Sequence, residues 1–196
     1  MKKIPTLFER IYENHKVTGI TNILTSSELQ VVLDGKCIPT IKIDGACCAV
    51  INGEWYKRYD AKKGKKAPEG AIPCQDEPDE ITGHWPHWVK LDETKADDKW
   101  FIEAFKNYKE LYELPDGTYE AIGPHFQGNP YKREKDSLYK HGSVIDEDCP
   151  HDFEGLKRYL EERSIEGIVF WYNNEPLCKI KRSDFGFEWP VKENNV

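Results

Sequence analysis

A β-like run broken by one turn is the most informative stretch of this chain. Residues 40–59 read TIKIDGACCAVINGEWYKRY. Apolar and β-branched residues are typical of strands, and Asn52-Gly53 is the dipeptide that two-residue hairpin turns favour. The sequence therefore predicts strands over 40–52 and 55–59, joined as an antiparallel hairpin.

The remaining elements follow from the spacing of apolar residues. Apolar residues recur at helical spacing over 4–15, 94–113 and 152–163. Shorter β-like runs cover 29–33, 118–122, 167–172 and 177–182, and residues 63–78 are rich in Gly, Pro and charge. We therefore predict an α+β fold of antiparallel sheets with flanking helices and a surface loop at 63–78.

Length and composition indicate a globular protein. The 196 residues fit a single domain, in which 1–35 is the least certain element. Hydrophobic residues make up 38% of the chain, which is typical of a packed core. The chain shows neither an apolar run of the roughly 20 residues that a membrane span needs nor a secretory signal. We expect a cytoplasmic protein; the sequence predicts nothing about its oligomeric state.

The six cysteines indicate buried thiols rather than a metal site. Their spacing lacks the paired Cys-x-x-Cys units of zinc ribbons. Cys47 and Cys48 are adjacent, so on a strand they point to opposite faces. A zinc site at Cys74, His84 and His87 is an alternative, but a fourth ligand at suitable spacing is missing.

The net charge of −7 argues against general adhesion to nucleic acid, yet the charge is segregated. Six basic residues lie within 57–66, and further basic groups occur at 132–140 and 179–182. Such clusters suit an anion-binding face. A charge run is also compatible with an ordinary solvated surface.

Lys42-Ile43-Asp44-Gly45 is the candidate reactive segment. Lys42 and Asp44 are two residues apart, so on a strand their side chains share a face. Gly45 would let the chain turn and let a ligand approach. The arrangement presents a lysine nucleophile beside a carboxylate, although taken alone it is equally typical of an ordinary strand that ends in a turn.

Five further residues give this segment a chemical setting. Arg58 lies on the second strand of the predicted hairpin, Glu120 lies in the middle of a predicted strand, and Glu166 opens another. Lys179 and Lys181 are two apart on a predicted strand, where their mutual repulsion favours an anion between them. Cations around Lys42 would favour its neutral, nucleophilic form.

In this order the motifs resemble the covalent nucleotidyltransferase superfamily of RNA ligases, DNA ligases and mRNA capping enzymes. The matching elements are Lys42-Ile43-Asp44-Gly45, Arg58, Glu120, Glu166-Gly167-Ile168-Val169 and Lys179-Ile180-Lys181. The match is closer still to small RNA ligases with vertebrate members. Their hallmarks occur here as Ile38-Pro39-Thr40, Asp44-Gly45-Ala46-Cys47-Cys48, Gly128-Asn129-Pro130-Tyr131, His141-Gly142 and Phe185-Gly186-Phe187-Glu188-Trp189-Pro190. The resemblance covers most of 38–190 and leaves the first 35 residues unmatched.

The resemblance implies an ATP-grasp-like ligase adenylation domain and an ATP-dependent RNA ligase. Lys42 would attack the α-phosphate of ATP, the AMP would pass to a 5′-phosphate on RNA, and a 3′-hydroxyl would then displace AMP. Asp44, Arg58, Glu120, Lys179 and Lys181 would bind the nucleotide beside Lys42, with Lys179 and Lys181 also acting in catalysis. Asp44, Glu120 and Glu166 would hold Mg²⁺ or Mn²⁺ through water, and the acid matching Glu120 would contact the ribose.

Several alternatives stay open. Tyr139, His141 and Phe185 are candidates for stacking on adenine, and each is equally compatible with ordinary core packing. Because only 15 residues follow Lys181, we expect no OB-fold domain after it, which favours an RNA ligase over DNA ligases and capping enzymes. The rival hypotheses are a minimal DNA ligase, an enzyme that adenylates a protein or small molecule, and a catalytically silent nucleotide- or RNA-binding module.

Overall fold

The chain folds into two compact units. The computed structural model describes residues 1–14, 16–80 and 82–191. The six-stranded unit comprises Met1–Lys3 and Asp44–His141, and the three-stranded unit comprises Ile4–Ile43 and Gly142–Val196. The assignment of residues 1–196 to a single domain stays a prediction.

Eleven strands and three α-helices occur in the described part of the chain. The strands are β1 (Phe8–Glu13), β2 (Lys16–Leu24), β3 (Ile38–Lys42), β4 (Ala46–Ile51), β5 (Glu54–Ala61), β6 (Ile72–Pro73), β7 (Trp85–Lys90), β8 (Gly117–Ile122), β9 (Ser137–Lys140), β10 (Gly167–Tyr172) and β11 (Glu175–Lys181). The helices are α1 (Gln30–Leu33), α2 (Lys99–Lys109) and α3 (Phe153–Glu162), with 3₁₀ turns at Ser27–Leu29, Ala96–Asp98 and Arg182–Phe185.

The six-stranded unit is one antiparallel sheet with α2 packed on it. The strand order is β6-β7-β5-β4-β8-β9. The core lies between one face of this sheet and α2, where Cys48 and Tyr119 pack with Ala104 and Phe105. Because side chains alternate along a strand, Cys47 and Glu120 point to the opposite face.

The three-stranded unit contains an antiparallel sheet of order β11-β10-β3 and the separate hairpin β1–β2. Ile168, Phe170 and Ile180 form its core face and pack with Leu156 and Leu160 of α3. Asp152 begins α3 as an N-cap, since its side chain accepts a hydrogen bond from the backbone N–H of Gly155.

The predicted hairpin at Asn52-Gly53 is confirmed. Val50 pairs with Trp55 and Ile51 pairs with Glu54, which leaves Asn52 and Gly53 as the two turn residues. Both have positive φ, 52° and 75°, as a type I′ turn requires. The strand over 55–59 is confirmed within β5.

The predicted strand over 40–52 is wrong as a single strand. It divides into β3 and β4, which belong to different sheets, and the chain passes from the three-stranded to the six-stranded unit between Ile43 and Asp44. Asp44 follows the end of β3, so the premise that Lys42 and Asp44 share one strand face is also wrong.

Two predictions near the N-terminus are wrong in type. The helix over 4–15 does not form in its described part, where residues 8–13 are the strand β1 that pairs with β2; His15 lies outside the described residues. The strand over 29–33 is helical, because Ser26 caps a 3₁₀ turn that leads into α1. Short apolar runs fit a strand and one helical face equally well, and the paired partner decides between them.

The later elements follow the sequence more closely. The helices over 94–113 and 152–163 and the strands over 118–122, 167–172 and 177–182 are confirmed with shifted ends, and the loop at 63–78 is interrupted only by β6. The sequence pattern missed β7 and β9. The predicted α+β class with antiparallel sheets is confirmed.

All six cysteines are free thiols, and four of them are buried: Cys37, Cys48, Cys149 and Cys178. The preference for thiols over disulfides is therefore confirmed. None of the helices in the described ranges is long and apolar enough to cross a membrane.

Candidate active site

Lys42 ends β3 in a row of residues that crosses the three-stranded sheet. Gly167 of β10 pairs with Lys42 on one side and with Lys181 of β11 on the other. Two residues along, Val169 pairs with Lys179. Because alternate residues share a face, Lys42, Lys179 and Lys181 all lie on the face opposite the core.

Gly167 allows the strands of this row to lie close together. A Cβ at this position would overlap the carbonyl oxygen of Ile180 and would lie 2.8 Å from Cα of Lys181. Glycine is thus required here by the approach of β11 to β10, and this approach brings Lys181 up to the position of Lys42.

Glu166 is the ion-pair partner of Lys42. The Nζ atom of Lys42 lies 2.6 Å from Oε2 of Glu166, and the two side chains are 23% and 11% exposed. The motifs predict cations around Lys42 and a metal at Glu166; the structure adds a direct, partly buried contact between the lysine and the carboxylate. At this distance the carboxylate can hold the ammonium form or accept its proton.

Among the described lysines, Lys179 has the pKa that its surroundings shift most. Burial, reinforced by the positive charges of Lys42, Arg10 and Lys181, lowers the pKa of Lys179 to about 8, against the opposing effect of Glu166. A lysine crowded by cations in this way is a good binding group for a polyanion, because the anion relieves the repulsion.

Glu120 occupies a polar row on the six-stranded sheet. It pairs with Cys47 of β4 on one side and with Tyr139 of β9 on the other. Its Oε2 atom lies 2.8 Å from Nε2 of His141, and Nδ1 of His141 lies 2.9 Å from Oγ1 of Thr118. The hydrogen bond to Thr118 orients the imidazole toward Glu120, so the carboxylate is held on a rigid part of the sheet.

Cys47, Glu120 and His141 are the described residues that bring three metal-ligating atoms within 4.8 Å of one another. Burial, followed by the charge of Glu120, raises the pKa of the Cys47 thiol to about 12, so this thiol resists the deprotonation that metal binding needs. The positive charge of Arg58 also acts on Cys47 and opposes a cation there. Glu120 therefore fits a hard metal through water better than a directly bound soft one.

Asp44, which lies in the same unit, does not join this group of ligand atoms. The assignment of Asp44, Glu120 and Glu166 to a metal through water stays a prediction. The zinc alternative is not supported, since Cys74, His84 and His87 form no such group among the described residues.

Arg58 faces the polar side of the six-stranded sheet from β5. Its Nε atom donates to Oδ1 of Asp60 at 2.8 Å, and its Nη1 atom donates to the carbonyl oxygen of Met1 at 3.3 Å. The side chain of Arg58 is 20% exposed, so it is partly accessible to a ligand.

Two contacts fix the segment around Asp44. The backbone N–H of Asp44 donates to the hydroxyl of Tyr131 at 2.6 Å. A Cβ on Gly45 would overlap the carbonyl oxygen of Ala121 and lie 2.9 Å from Cγ of Glu120. Gly45 therefore has a packing role, because it lets the chain pass directly beside β8. Its role in admitting a ligand stays a prediction.

The three adenine-stacking candidates have different surroundings. Tyr139 receives a hydrogen bond from Nη2 of Arg133 at 2.5 Å, and His141 is held by Glu120. Phe185 packs edge-on against Phe153, as part of the core of the three-stranded unit. This packing makes Phe185 the least suitable of the three.

The structure thus groups Lys42, Glu166, Lys179 and Lys181 in one unit and Asp44, Arg58 and Glu120 in the other. The sequence pattern did not indicate Arg10, Asp184 or the hydroxyl of Tyr131. Tyr131 could have been found, because it stands in the motif Gly128-Asn129-Pro130-Tyr131. Arg10 and Asp184 lie in no distinctive pattern.

Comparison with known proteins points to the RNA ligases as a class. A family model described as RNA ligase 1 matches residues 107–196. The chain is 26% identical over 231 residues to RNA ligase 1 of Pongo abelii, which covers 80% of this chain and 69% of that protein. It is 28% identical over 224 residues to RNA ligase 1 of Danio rerio, with 79% and 69% covered. The resemblance to small RNA ligases that the motifs indicate is confirmed.

Proposed function

We propose that this protein is an ATP-dependent RNA ligase with a nucleotidyltransferase fold. It would join the 5′-phosphate and 3′-hydroxyl ends of RNA through a lysyl-AMP and an AMP-RNA intermediate. The proposal includes a cytoplasmic location. Its family-level support is the similarity to RNA ligase 1 proteins.

One observation carries the proposal: the amine of Lys42 lies 2.6 Å from the buried carboxylate of Glu166, with Lys179 and Lys181 on the same sheet face. A nucleophilic amine must lose a proton, and Glu166 is close enough to accept it. The anion that is attacked must be held by cations, and Lys179 and Lys181 can supply them.

In the first step, Nζ of Lys42 forms a bond to the α-phosphorus of ATP. The bond from that phosphorus to the bridging oxygen breaks, pyrophosphate leaves, and the proton from Nζ passes to Glu166. Lys179 and Lys181 neutralise charge on the phosphates as they separate. Most of the rate acceleration comes from positioning of the reacting groups and from stabilisation of charge, as in other phosphoryl transfers.

In the second step, an oxygen of the RNA 5′-phosphate attacks the same phosphorus, the bond from phosphorus to Nζ breaks, and Glu166 returns its proton so that Lys42 leaves as the amine. In the third, the RNA 3′-hydroxyl attacks the activated 5′-phosphorus, the hydroxyl proton passes to solvent, and AMP leaves. Mg²⁺ or Mn²⁺ would supply charge neutralisation at the phosphates, with Asp44, Glu120 and Glu166 as ligands through water. We assign contacts to the ribose to Glu120 and a further nucleotide contact to Arg58.

Self-adenylation tests the proposal directly. The protein is incubated with α-labelled ATP and Mg²⁺ or Mn²⁺, and covalent label is measured after denaturation. We expect a label that is stable to mild base, absent in Lys42→Ala, and discharged by RNA that carries a 5′-phosphate. Lys36→Ala is the matched control, because Lys36 is an exposed lysine of the same unit that pairs with Asp34.

The outcomes separate the rival hypotheses. Absence of label from the wild type across pH and both metals contradicts adenylation and favours a silent binding module. Label that 5′-phosphorylated DNA discharges and RNA does not favours a DNA ligase. Label that neither nucleic acid discharges favours transfer of AMP to a protein or small molecule.

A further inference from the structure

The N-terminal segment lies alongside the strand that carries Lys179. The backbone N–H of Leu7 donates to the carbonyl oxygen of Lys179 at 2.8 Å, and the backbone N–H of Lys179 donates to the carbonyl oxygen of Pro5 at 3.0 Å. Thr6 forms a parallel bridge with Lys179. The segment that contains Thr6 and the strand β11 run parallel here. Residues that follow Leu7 therefore lie beside residues that follow Lys181.

This alignment places Arg10 of β1 next to Asp184, which follows β11. Its Nε and Nη2 atoms lie 2.9 Å and 2.8 Å from Oδ1 of Asp184. The other oxygen of Asp184, Oδ2, accepts a hydrogen bond from the backbone N–H of Lys181 at 2.8 Å. Asp184 is only 1% exposed, so one buried carboxylate holds both Arg10 and the end of the Lys179-x-Lys181 strand.

Arg10 keeps hydrogen-bonding capacity for a ligand. Guanidinium has five N–H donors in a fixed plane, and Asp184 engages those of the Nε and Nη2 groups. Within the described residues, Nη1 makes no hydrogen bond, and the side chain is 23% exposed. A guanidinium anchored along one edge can bind a phosphate along another.

The charges of this region favour an anion. Lys42, Lys179, Lys181 and Arg10 carry positive charge, against the two carboxylates of Glu166 and Asp184. Arg10 and Lys179 are close enough for the charge of Arg10 to disfavour protonation of Lys179. A salt bridge that only anchored the hairpin would gain nothing from this repulsion, whereas a bound phosphate would relieve it.

We propose that Arg10 is a phosphate-binding residue of the Lys42 site, supplied by the β1–β2 hairpin and positioned by Asp184. The inference rests on the proposed ligase function and adds the N-terminal hairpin to its substrate-binding surface. The phosphate is either the pyrophosphate portion of ATP or the 5′-phosphate of RNA, which present the same oxygen atoms to a guanidinium.

Two measurements on Arg10→Gln distinguish these sources. The first is the ATP concentration dependence of label formation, and the second is the rate at which 5′-phosphorylated RNA discharges protein labelled beforehand. Loss of a charge-assisted phosphate contact is worth about 10–100-fold. A defect of that size in the first measurement identifies ATP as the source, and a defect in the second identifies RNA.

Matched variants separate binding from folding. Arg158→Gln is the control, because Arg158 is an exposed arginine of the same unit. Arg10→Lys keeps the charge without the planar fork, and we expect an intermediate defect. If RNA is the source, Arg10→Gln weakens binding of 5′-phosphorylated RNA but not of 5′-hydroxyl RNA of the same sequence, a difference that a structural role would not produce.

Different results would contradict the proposed function and the proposed role of Arg10. If the wild type forms no label, the proposed function is contradicted. If the wild type forms label and Arg10→Gln equals it in both measurements, only the role of Arg10 is overturned. Should Arg10→Gln fail to fold, Arg10→Lys decides: wild-type behaviour in both measurements overturns the role.

Discussion

The Nζ atom of Lys42 and the Oε2 atom of Glu166 lie 2.6 Å apart, although 124 residues separate them in the chain. The pairing follows from the sheet, since Gly167 stands opposite Lys42 and Glu166 precedes Gly167 directly. The proposed nucleophile therefore has a carboxylate within hydrogen-bond distance before any substrate binds. This contact makes Glu166 the first residue to test after Lys42 itself.

Glu166→Gln should slow label formation at pH 7 by roughly 100-fold or more, because the amide cannot accept the proton from Lys42. The initial rate is measured at saturating ATP from pH 6 to pH 10. We expect the variant to approach the wild type at high pH, where hydroxide replaces the missing base. Glu175→Gln, which alters an exposed glutamate of the same unit, should behave as the wild type at every pH. A defect of constant size at all pH values would instead support a role for Glu166 in metal binding alone.

The parts of the fold that could be predicted are those with local causes. Asn52-Gly53 determines a two-residue turn through its own backbone preferences, and Asp152 begins α3 through its own side chain. Neither depends on distant residues. The sequence pattern predicts a helix where β1 lies, because the conformation of β1 depends on its pairing with β2.

The sequence predicts which residues belong to the candidate site, but it does not predict which of them contact one another. Lys42, Glu166, Lys179 and Lys181 each stand in a motif, so sequence reasoning found them. The contacts of Lys42 with Glu166 and of Arg10 with Asp184 join residues more than 120 positions apart. No periodicity encodes such pairs, because they arise from sheet register and from the alignment of Pro5–Leu7 with β11.

Gly45→Ala should destabilise the six-stranded unit by about 1–3 kcal/mol, the usual cost of overpacking. The added methyl group would overlap the carbonyl oxygen of Ala121, which belongs to backbone and cannot move aside without distorting β8. Urea unfolding measures the change, and label formation should fall with it because Glu120 lies beside the same methyl group.

Gly19→Ala is the control for Gly45→Ala. Gly19 is also a glycine near a strand partner, but the nearest atom to its added Cβ is Cδ1 of Ile11, at an ordinary 3.9 Å. Its substitution should change the free energy of unfolding by less than about 0.5 kcal/mol. Equal effects of the two substitutions would contradict the packing role that we assign to Gly45.

Lys179 should make the stability of the protein depend on pH in the alkaline range. Burial and neighbouring cations lower its pKa to about 8 in the folded protein, whereas the unfolded chain has the ordinary value of 10.5. Between these pH values the unfolded chain binds a proton that the folded protein has released. The contribution of Lys179 to the free energy of unfolding therefore rises as the pH increases from 8 to 10.5. Below pH 8 both states are protonated, and the folded protein carries the full cost of burying the charge.

Lys179→Met removes that cost while it keeps an unbranched apolar side chain. We expect the variant to be more stable than the wild type at pH 7 and to lose this advantage progressively from pH 8 to pH 10.5. Urea unfolding of both proteins at several pH values gives the difference in their free energies of unfolding. The effects of other titrating groups cancel in this difference. Lys157→Met, at an exposed position of α3, should differ from the wild type by a constant amount. A constant difference for Lys179→Met as well would mean that the charge of Lys179 is not disfavoured in the folded protein, and the electrostatic argument for an anion beside Lys42 would lose its main support.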